Sequence, residues 1–477
     1  QYIISYNNIY LAKSKMSERN IFHLLNRSRK SEEERTNDDD KNEEATVKAI
    51  LLLLKEEPDA AKEKDTYGCT PLHRASRFDA PLSIISALLN IWPEAAQVKD
   101  KPECTPLHTA CINKASPDAI HALLDICPGV TRTKDKYGNL PLHVACRFDA
   151  PLHIVSTLLS IWPDAAKEKN NYGCSPLHVA CFHKAPLDVV SALIQIWPDA
   201  AKETDENGCT PLHLSCRFGA PLDIMSALLS TWPDATKEKD NNNNLPLHLS
   251  CRCKAPLDII TALLQTWPDA TKEKDKYGNT PLHLSCRFKA PSEIVSALLQ
   301  VWPDAAKEKN KHNCTPLHLL CRFKSPLDIV SPLLRICPGA IKEKDKFGCT
   351  PLYLACRYSA PFEMILLLFN TWLGEKENRN GSNSMDVDAL GKYASNSKTK
   401  DVKKLFGYAS ALYKNDTTNS SISLNEIMNY FISIELWNGV TLVFERHPTV
   451  IKSMHLDTNV MAHFLFMVWR CCSLTTM

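Results

Sequence analysis

A proline recurs every 35 residues along this 477-residue chain, nine times and without a slip. The positions are Pro71, Pro106, Pro141, Pro176, Pro211, Pro246, Pro281, Pro316 and Pro351. A constant period of this length is typical of stacked supersecondary units and not of a single globular core. Because one such unit cannot bury its apolar face alone, each must stack on its neighbours. The period therefore predicts an array of repeats.

One repeat, residues 276–309, reads KYGNTPLHLSCRFKAPSEIVSALLQVWPDAAKEK. Gly278 lies in a turn signal and can adopt a positive φ angle. Thr280 can cap a helix that begins at Pro281, because the first turn of a helix needs no amide donor there. LHLSC continues this short helix, KAP ends it, and SEIVSALLQVW has the apolar spacing of a second helix. Each repeat is therefore predicted to be a turn, a short helix, a loop and a longer helix.

The turn glycine is replaced in three of the nine repeats. Asn243 and Asn313 stand in its place in two of them, and asparagine tolerates the left-handed conformation. Glu103 stands there in the second repeat. This substitution leaves open a different turn in that repeat.

The opening of each repeat resembles the ankyrin repeat, in which a turn glycine precedes T-P-L-H and small residues. DKYGNTPLHLSC fits this signature, and near copies include CTPLHTAC, LPLHVAC, CSPLHVAC and CTPLHLSC. The resemblance covers about residues 46–375 and implies an all-α solenoid of stacked helix-turn-helix units. It also implies that the motif histidine is a framework residue hydrogen-bonded to the turn. The clearest motif copies are Thr70, Pro71, Leu72, His73, Thr210, Pro211, Leu212, His213, Thr280, Pro281, Leu282, His283, Thr315, Pro316, Leu317 and His318.

Three positions depart from the ankyrin motif. Leu140 and Leu245 replace the capping threonine, and Tyr353 replaces the histidine in the ninth repeat. These departures put the local helix caps in doubt but not the fold.

The flanking segments differ in composition from the array, which is predicted to span residues 45–375 as a partial N-terminal cap plus nine repeats. Residues 1–44 contain the charge run SEEERTNDDDKNEE and are predicted to be a flexible segment that could carry a short helix. Residues 376–420 begin with polar, breaker-rich sequence and are predicted to be a linker. Residues 421–477 are predicted to be an irregular, truncated helical segment. Because VTLVFERHPTVIK at 440–452 aligns with VSALLQVWPDAAK, a degenerate repeat there is a hypothesis.

Cysteines occupy two columns of the repeat, which favours packing positions with reduced thiols. One column holds Cys111, Cys146, Cys181, Cys216, Cys251, Cys286, Cys321 and Cys356, and the other holds Cys69, Cys104, Cys174, Cys209, Cys314 and Cys349. The spacing of Cys104, His108 and Cys111 raises a zinc-binding hypothesis. Three ligands are one fewer than a structural zinc site uses, and the resemblance gives the histidine a framework role. We therefore predict no metal and no cofactor.

A tryptophan column ends most of the second helices. Its members are Trp92, Trp162, Trp197, Trp232, Trp267, Trp302 and Trp372. Such a column could form a ligand cage, but its place at the helix end favours packing between neighbouring repeats.

An arginine and an aromatic residue follow the first helix in most repeats. The candidate partner-binding residues are Arg77, Phe78, Arg147, Phe148, Arg217, Phe218, Arg252, Arg287, Phe288, Arg322, Phe323, Arg357 and Tyr358. The resemblance places them on the concave face where ankyrin proteins hold their partners, and these residue types supply binding hot spots. The alternative is that each phenylalanine packs under the loop with the arginine stacked over it. The sequence leaves both interpretations open.

Composition and charge argue against several functional classes. The 56 basic and 54 acidic residues leave a net charge of +2, so no overall field recruits nucleic acid. No apolar run of about 18 residues is present to insert into a membrane. The lysine and glutamate columns of the KEK segments offset each other and predict a solvated face with weak ion pairs. No phosphate loop or unique nucleophile with its base stands out, so we predict that the chain is not an enzyme.

The sequence therefore predicts a non-enzymatic scaffold or adaptor that binds an unknown protein partner along an ankyrin array. We expect a monomer in the cytoplasm or nucleus. Because the chain begins with Gln1 rather than methionine, we also expect a fragment. The alternative is that the array is the targeting arm of a larger enzyme or channel whose effector domain lies outside this sequence.

Overall fold

The computed structural model describes residues 21–27, 37–379, 387, 400–414 and 423–447. No strand occurs in these ranges, so the all-α prediction is confirmed. The chain divides into two compact units, residues 1–241 and 242–477. None of the helices in the described ranges is long and apolar enough to cross a membrane.

Each repeat contains a short first helix and a second helix, and in all but the ninth a 3-10 helix follows. The first helices are Pro71–Arg77, Pro106–Asn113, Pro141–Arg147, Pro176–His183 and Pro211–Phe218 in the first unit, and Pro246–Cys253, Pro281–Phe288, Pro316–Phe323 and Pro351–Arg357 in the second. The second helices are Leu82–Ile91, Pro117–Ile126, Leu152–Ile161, Leu187–Ile196 and Leu222–Thr231, and then Leu257–Thr266, Ser292–Val301, Leu327–Ile336 and Phe362–Gly374. Within each unit, first helices pack against first helices and second against second, which is the predicted stacking.

The PDAAK-type segment that follows each second helix but the last is a 3-10 helix, whereas the sequence indicated only a helix end there. These helices are Pro58–Lys62, Pro93–Gln97, Pro128–Arg132, Pro163–Lys167, Pro198–Lys202 and Pro233–Lys237, and in the second unit Pro268–Lys272, Pro303–Lys307 and Pro338–Lys342. Proline at the first position and buried alanines favour this short turn. Each one leads the chain into the next turn.

The helix ends of one repeat follow from local sequence. Thr280 accepts a hydrogen bond from the His283 amide and so caps the first helix. Lys289 ends that helix in the left-handed region at φ +55°, and the Ala290 amide bonds back to the Ser285 carbonyl at 2.9 Å. The second helix then buries Ile294 with Leu298 and Val295 with Leu299, each pair four residues apart on the same face.

Consecutive turns are connected through the backbone. Asp275 accepts from the amides of Tyr277 and Asn279, both at 2.8 Å, which closes the turn around Gly278 at φ +76°. The Lys311 amide of the next repeat donates to the Tyr277 carbonyl at 3.0 Å. One continuous set of hydrogen bonds therefore closes each of these turns and joins it to the turn of the next repeat.

The turn of the second repeat has the same conformation as the others, in spite of its glutamate. Glu103 lies at φ +63°, and its amide donates to the Asp100 carbonyl at 2.9 Å, as the Gly278 amide does to Asp275. The different turn that the sequence left open does not occur. The hydrogen bonds of the turn hold a non-glycine residue in a strained region.

Gly278→Ala is expected to destabilise the protein more than Gly348→Ala. Both glycines have almost the same φ, +76° and +77°, so both substitutions carry about 1 kcal/mol of left-handed strain. A Cβ on Gly278 would lie 2.9 Å from the Lys311 amide nitrogen, whereas a Cβ on Gly348 meets nothing within 4 Å. Urea denaturation followed by circular dichroism should show the difference, and equal losses would mean that the close approach costs nothing.

The N-terminal region is more helical than predicted. Helix Ile21–Arg27 packs against both Asn37–Glu56 and the first helix Pro71–Arg77, with Ile21 and Leu25 buried. It thus takes the place of a first helix, and Asn37–Glu56 that of a second helix beginning before residue 45. Residues 28–36 of the predicted charged segment lie outside the described residues.

The segment predicted as a linker contains two helices, Lys376–Arg379 and Lys400–Lys414. The longer one packs against Phe362–Gly374 and Trp437–Arg446, and Phe406 lies 5.2 Å from Phe369 between ring centroids. Its buried residues recur at helical spacing, Val402, Leu405, Phe406, Ala409, Leu412 and Tyr413. Residues 400–414 of the predicted linker thus form an amphipathic helix, which the polar flanks conceal in the sequence.

Two further helices, Leu424–Ser433 and Trp437–Arg446, form a pair. Glu435 between them lies at φ +55°, and the Leu436 amide donates to the Phe431 carbonyl at 2.8 Å, as between the helices of a repeat. Trp437–Arg446 packs against Phe362–Gly374. Residues 448–452 of the proposed degenerate repeat lie outside the described residues, and the domain boundaries stay a prediction.

Candidate partner-binding face

In seven repeats the motif histidine donates a hydrogen bond to the following repeat. His283 Nε2 lies 3.0 Å from the Cys314 carbonyl, which can only accept, so Nε2 carries the proton. Nδ1 therefore accepts, from the Thr280 amide at 3.3 Å and the Thr280 hydroxyl at 2.8 Å. The same Nε2-to-carbonyl bond joins His73 to Cys104, His108 to Asn139, His143 to Cys174, His178 to Cys209, His248 to Asn279 and His318 to Cys349.

Burial keeps these imidazoles neutral. It lowers the pKa of His73, His108, His143, His178, His248 and His283 to about 4. A proton on Nδ1 would displace the amide that this nitrogen accepts from and would place a charge in the core. The motif histidine is therefore a structural residue with both ring nitrogens engaged.

The three departures from the motif have small local effects. The Leu140 and Leu245 amides still donate to His143 and His248, both at 3.2 Å, but leucine has no side-chain acceptor for the helix amide, so these two side-chain caps are absent. At Tyr353 the Thr350 side chain still accepts from the amide at 3.3 Å. Of the caps in doubt, the one at Thr350 therefore forms, and at Leu140 and Leu245 only the amide-to-histidine bond remains.

The seventeen described cysteines are all free thiols. Burial raises the pKa of Cys111, Cys181 and Cys251 on the first helices to about 12, so these thiols stay protonated. No group of three or more Cys, His, Asp or Glu side chains in the described part of the chain is placed to hold a metal ion. The residues of the zinc hypothesis instead take part in packing and in the histidine bonds.

The tryptophans of the column are half-buried at the ends of the second helices, except Trp372, which is buried. The Arg132 guanidinium lies 5.2 Å from the Trp162 ring of the following repeat. Trp372 stacks on Phe369 at 5.9 Å. These contacts support packing between neighbours over a ligand cage.

The lysine and glutamate columns pair in two ways. Lys307 contacts Asp304 of its own 3-10 helix at 2.8 Å, whereas Glu308 contacts Lys274 of the preceding repeat at 2.7 Å. All are substantially solvent-accessible, so each pair contributes little, up to about 1 kcal/mol.

The arginine and aromatic columns meet in the second unit in an alternating row. Arg252 and Arg287 both lie against Phe288, at 5.4 and 5.5 Å from the ring centroid. Arg287 and Arg322 lie against Phe323 at 5.6 and 5.9 Å. Arg322 also lies 5.7 Å from Tyr358. We call this row, Arg252, Phe288, Arg287, Phe323, Arg322 and Tyr358, the Arg–aromatic ladder.

In the first unit the same columns form separate pairs. Arg77, Arg147 and Arg217 each lie over the phenylalanine of their own repeat, at 5.8, 5.5 and 5.6 Å. Repeats 2 and 4 carry Ile112–Asn113 and Phe182–His183 instead, and Phe182 contacts Phe218 at 4.0 Å. No ladder of alternating arginines and rings is seen in the described part of this unit.

Partner binding by the arginine and packing of the aromatic ring, the two interpretations of these columns, are both compatible with the observed geometry. The rings of Phe288 and Phe323 are half-buried, while Arg252, Arg287, Arg322 and Arg357 are exposed. The rings pack and hold the guanidinium groups at the surface. Whether a partner binds there stays a prediction.

A second exposed row, which sequence reasoning missed, lies at the turn tips. Tyr277 and Phe347 are 52% and 74% exposed, and the lysines before them lie 5.0 and 4.9 Å from their rings. Sequence reasoning also missed three lysines, Lys254, Lys289 and Lys324, that end first helices in the left-handed conformation beside the ladder. A comparison of columns between the two halves of the array would have shown both.

A family model described as ankyrin repeats in three copies matches the chain at residues 107–200, 177–272 and 256–342. No curated protein matches the chain. The family match agrees with the T-P-L-H caps, the inter-repeat histidine bonds and the stacked helix pairs. The chain therefore belongs to the ankyrin repeat family.

Proposed function

We propose that this chain is a non-enzymatic scaffold that binds a protein partner through the face carrying the Arg–aromatic ladder. Ankyrin repeats are generally protein–protein interaction modules, and the family is generally non-catalytic. Residues copied once per repeat serve packing better than a single catalytic centre. Protein binding is therefore the function that this fold supports best.

The ladder is the observation that supports this proposal. Its guanidinium groups are exposed, and each is held against aromatic rings by contacts worth about 0.5–1 kcal/mol. Arginine and aromatic side chains are enriched among binding hot spots, and a side chain already held in place loses less entropy on binding. The ladder thus offers a row of ordered binding groups.

Replacing Arg252, Arg287, Phe288, Arg322 and Phe323 by alanine is expected to abolish partner capture. Partners would be identified by affinity capture from lysate and mass spectrometry, and helix content by circular dichroism. A matched variant would replace the exposed Lys272, Lys307 and Arg335, on the 3-10 and second helices, by alanine and should capture normally.

Capture that survives the ladder substitutions would refute the assignment of this face. If the five-residue variant loses helix content, Arg252→Gln with Arg287→Gln and Arg322→Gln keeps the rings in place and gives the same test. Retained capture by this folded variant would count equally against the proposal.

A further inference from the structure

We propose that the ladder face binds an extended acidic peptide segment with a carboxylate at every third residue. This inference rests on the proposed function and adds the chemistry of the partner. It follows from the charge of the face, from the covered rings and from the spacing of the repeats.

Positive charge accumulates on this face of the second unit. Four exposed arginines, Arg252, Arg287, Arg322 and Arg357, share it with three exposed lysines, Lys254, Lys289 and Lys324. The structure shows no ion pair between any of these and a carboxylate of the described residues. With a chain net charge of only +2, this is a local concentration.

The first unit lacks this concentration at the same positions. Asp79 and Asp149 occupy the column that holds lysine in the second unit, and Lys114 pairs with Asp149 at 3.0 Å. In the first unit two aspartates alternate with Lys114 and Lys184 in this column, whereas Lys254, Lys289 and Lys324 of the second unit have no acidic residue among them.

Acidic residues also lie near the ladder along the chain. Asp258, Glu293 and Asp328 begin the second helices, and Asp258 Oδ1 accepts from the Ile259 amide at 2.8 Å. Carboxylates in the first turn of a helix interact favourably with its N-terminus. These carboxylates lie in the first turns of their own helices, and the ion pairs of the described residues join none of them to a ladder arginine.

The covered rings favour a peptide over a single-stranded nucleic acid. Nucleic acid binding uses open aromatic faces on which bases stack. Phe288 and Phe323 each carry two guanidinium groups within 6 Å of the ring centroid and are half-buried. The guanidinium groups, in contrast, are forked donors that match a carboxylate.

The repeat sets the spacing of the partner's charges. Neighbouring helices pack about 8–10 Å apart, so successive ladder arginines recur at about that distance. A chain in the extended polyproline II conformation advances about 3.1 Å per residue with three residues per turn, so every third side chain points the same way, about 9 Å further along. A peptide crossing the first helices can therefore place a glutamate on each arginine only if glutamate recurs every third residue.

The test uses the full chain and two fluorescent peptides of identical composition. One carries glutamate at every third position, and the other carries its glutamates in one contiguous block. Fluorescence anisotropy is expected to show about tenfold tighter binding of the spaced peptide, and binding that weakens as salt is raised. Equal affinities for the two peptides would refute the requirement for a carboxylate at every third residue.

Arg287→Gln with Arg322→Gln is expected to weaken binding of the spaced peptide by about tenfold or more. Arg335→Gln with Lys272→Gln removes the same net charge elsewhere on the unit and should leave the affinity unchanged. Equal losses of affinity for the spaced peptide in both variants would show that the ladder is not its binding site. A single-stranded oligonucleotide that binds more tightly than the spaced peptide would show that the partner is not a peptide. If neither peptide binds while capture of a protein partner still depends on the ladder, this inference fails and the proposed function stands.

Discussion

Acidification from about pH 7 to about pH 4 is expected to destabilise the repeats steeply. Six buried histidines have a pKa near 4 in the folded protein, against 6.5 for the ordinary side chain. A folded pKa below the unfolded one means that folding favours the neutral form. The stability from each histidine is complete above about pH 6.5 and is lost as the pH falls towards 4.

The magnitude of this loss is large. A shift from 6.5 to about 4 corresponds to about 3 kcal/mol for each histidine, because one pKa unit is about 1.4 kcal/mol. Asp100 acts in the opposite direction, since burial raises its pKa to about 6 and its contribution is lost as the pH rises. One carboxyl offsets little of the effect of six histidines.

Circular dichroism and tryptophan fluorescence, followed from pH 7 to pH 3.5, would measure this effect. Urea midpoints should fall progressively below about pH 6.5, and the repeats should unfold without denaturant near pH 4. Midpoints that stay constant down to pH 4 would show that the histidines are protonated without cost in the folded state.

His178→Ala is expected to cost about 3 kcal/mol of unfolding free energy, the second large effect. The substitution removes the acceptor of the Ser175 amide, 3.3 Å away, and the donor to the Cys209 carbonyl, 3.1 Å away. Each buried group left without a partner costs about 1–3 kcal/mol, and a cavity adds to the loss. His178 is fully buried, so water cannot replace these bonds.

The matched control is His153→Ala in the same unit. His153 is exposed on the second helix Leu152–Ile161, so its loss should change the unfolding free energy by less than about 0.5 kcal/mol. Urea denaturation at pH 7 compares the two variants. Similar small losses of unfolding free energy in both variants would show that the inter-repeat histidine bond contributes little to stability. The His178 variant should also lose less unfolding free energy on acidification, because it has one buried histidine fewer.

Local sequence was sufficient to predict the repeat and its two helices. The 35-residue period, the proline at the start of each first helix and the apolar spacing of the second helix depend on neighbouring residues alone. The ankyrin resemblance supplied the framework role of the histidine. The 3-10 helices between repeats and the helix Lys400–Lys414 were missed, because tertiary burial selects them more than local signals do.

The candidate site was predicted only as two columns of residue types. The sequence named Arg287 and Phe288 but left open whether they bind or pack. Only the stacked repeats place Arg287 between its own ring and Phe323 of the next repeat. Contacts between residues 36 positions apart depend on how the helices pack, and no local pattern specifies that distance.

The amino-acid sequence by itself determined that this chain forms repeated helix pairs with capped first helices, because caps, turns and apolar stripes act within a few residues. The tertiary structure alone decided which atoms join neighbouring repeats: the histidine Nε2 to a carbonyl 31 residues ahead, the turn amide to the preceding turn, and arginine between two rings. It also decided that Glu103 takes the conformation of a glycine, since the surrounding hydrogen bonds outweigh its local preference.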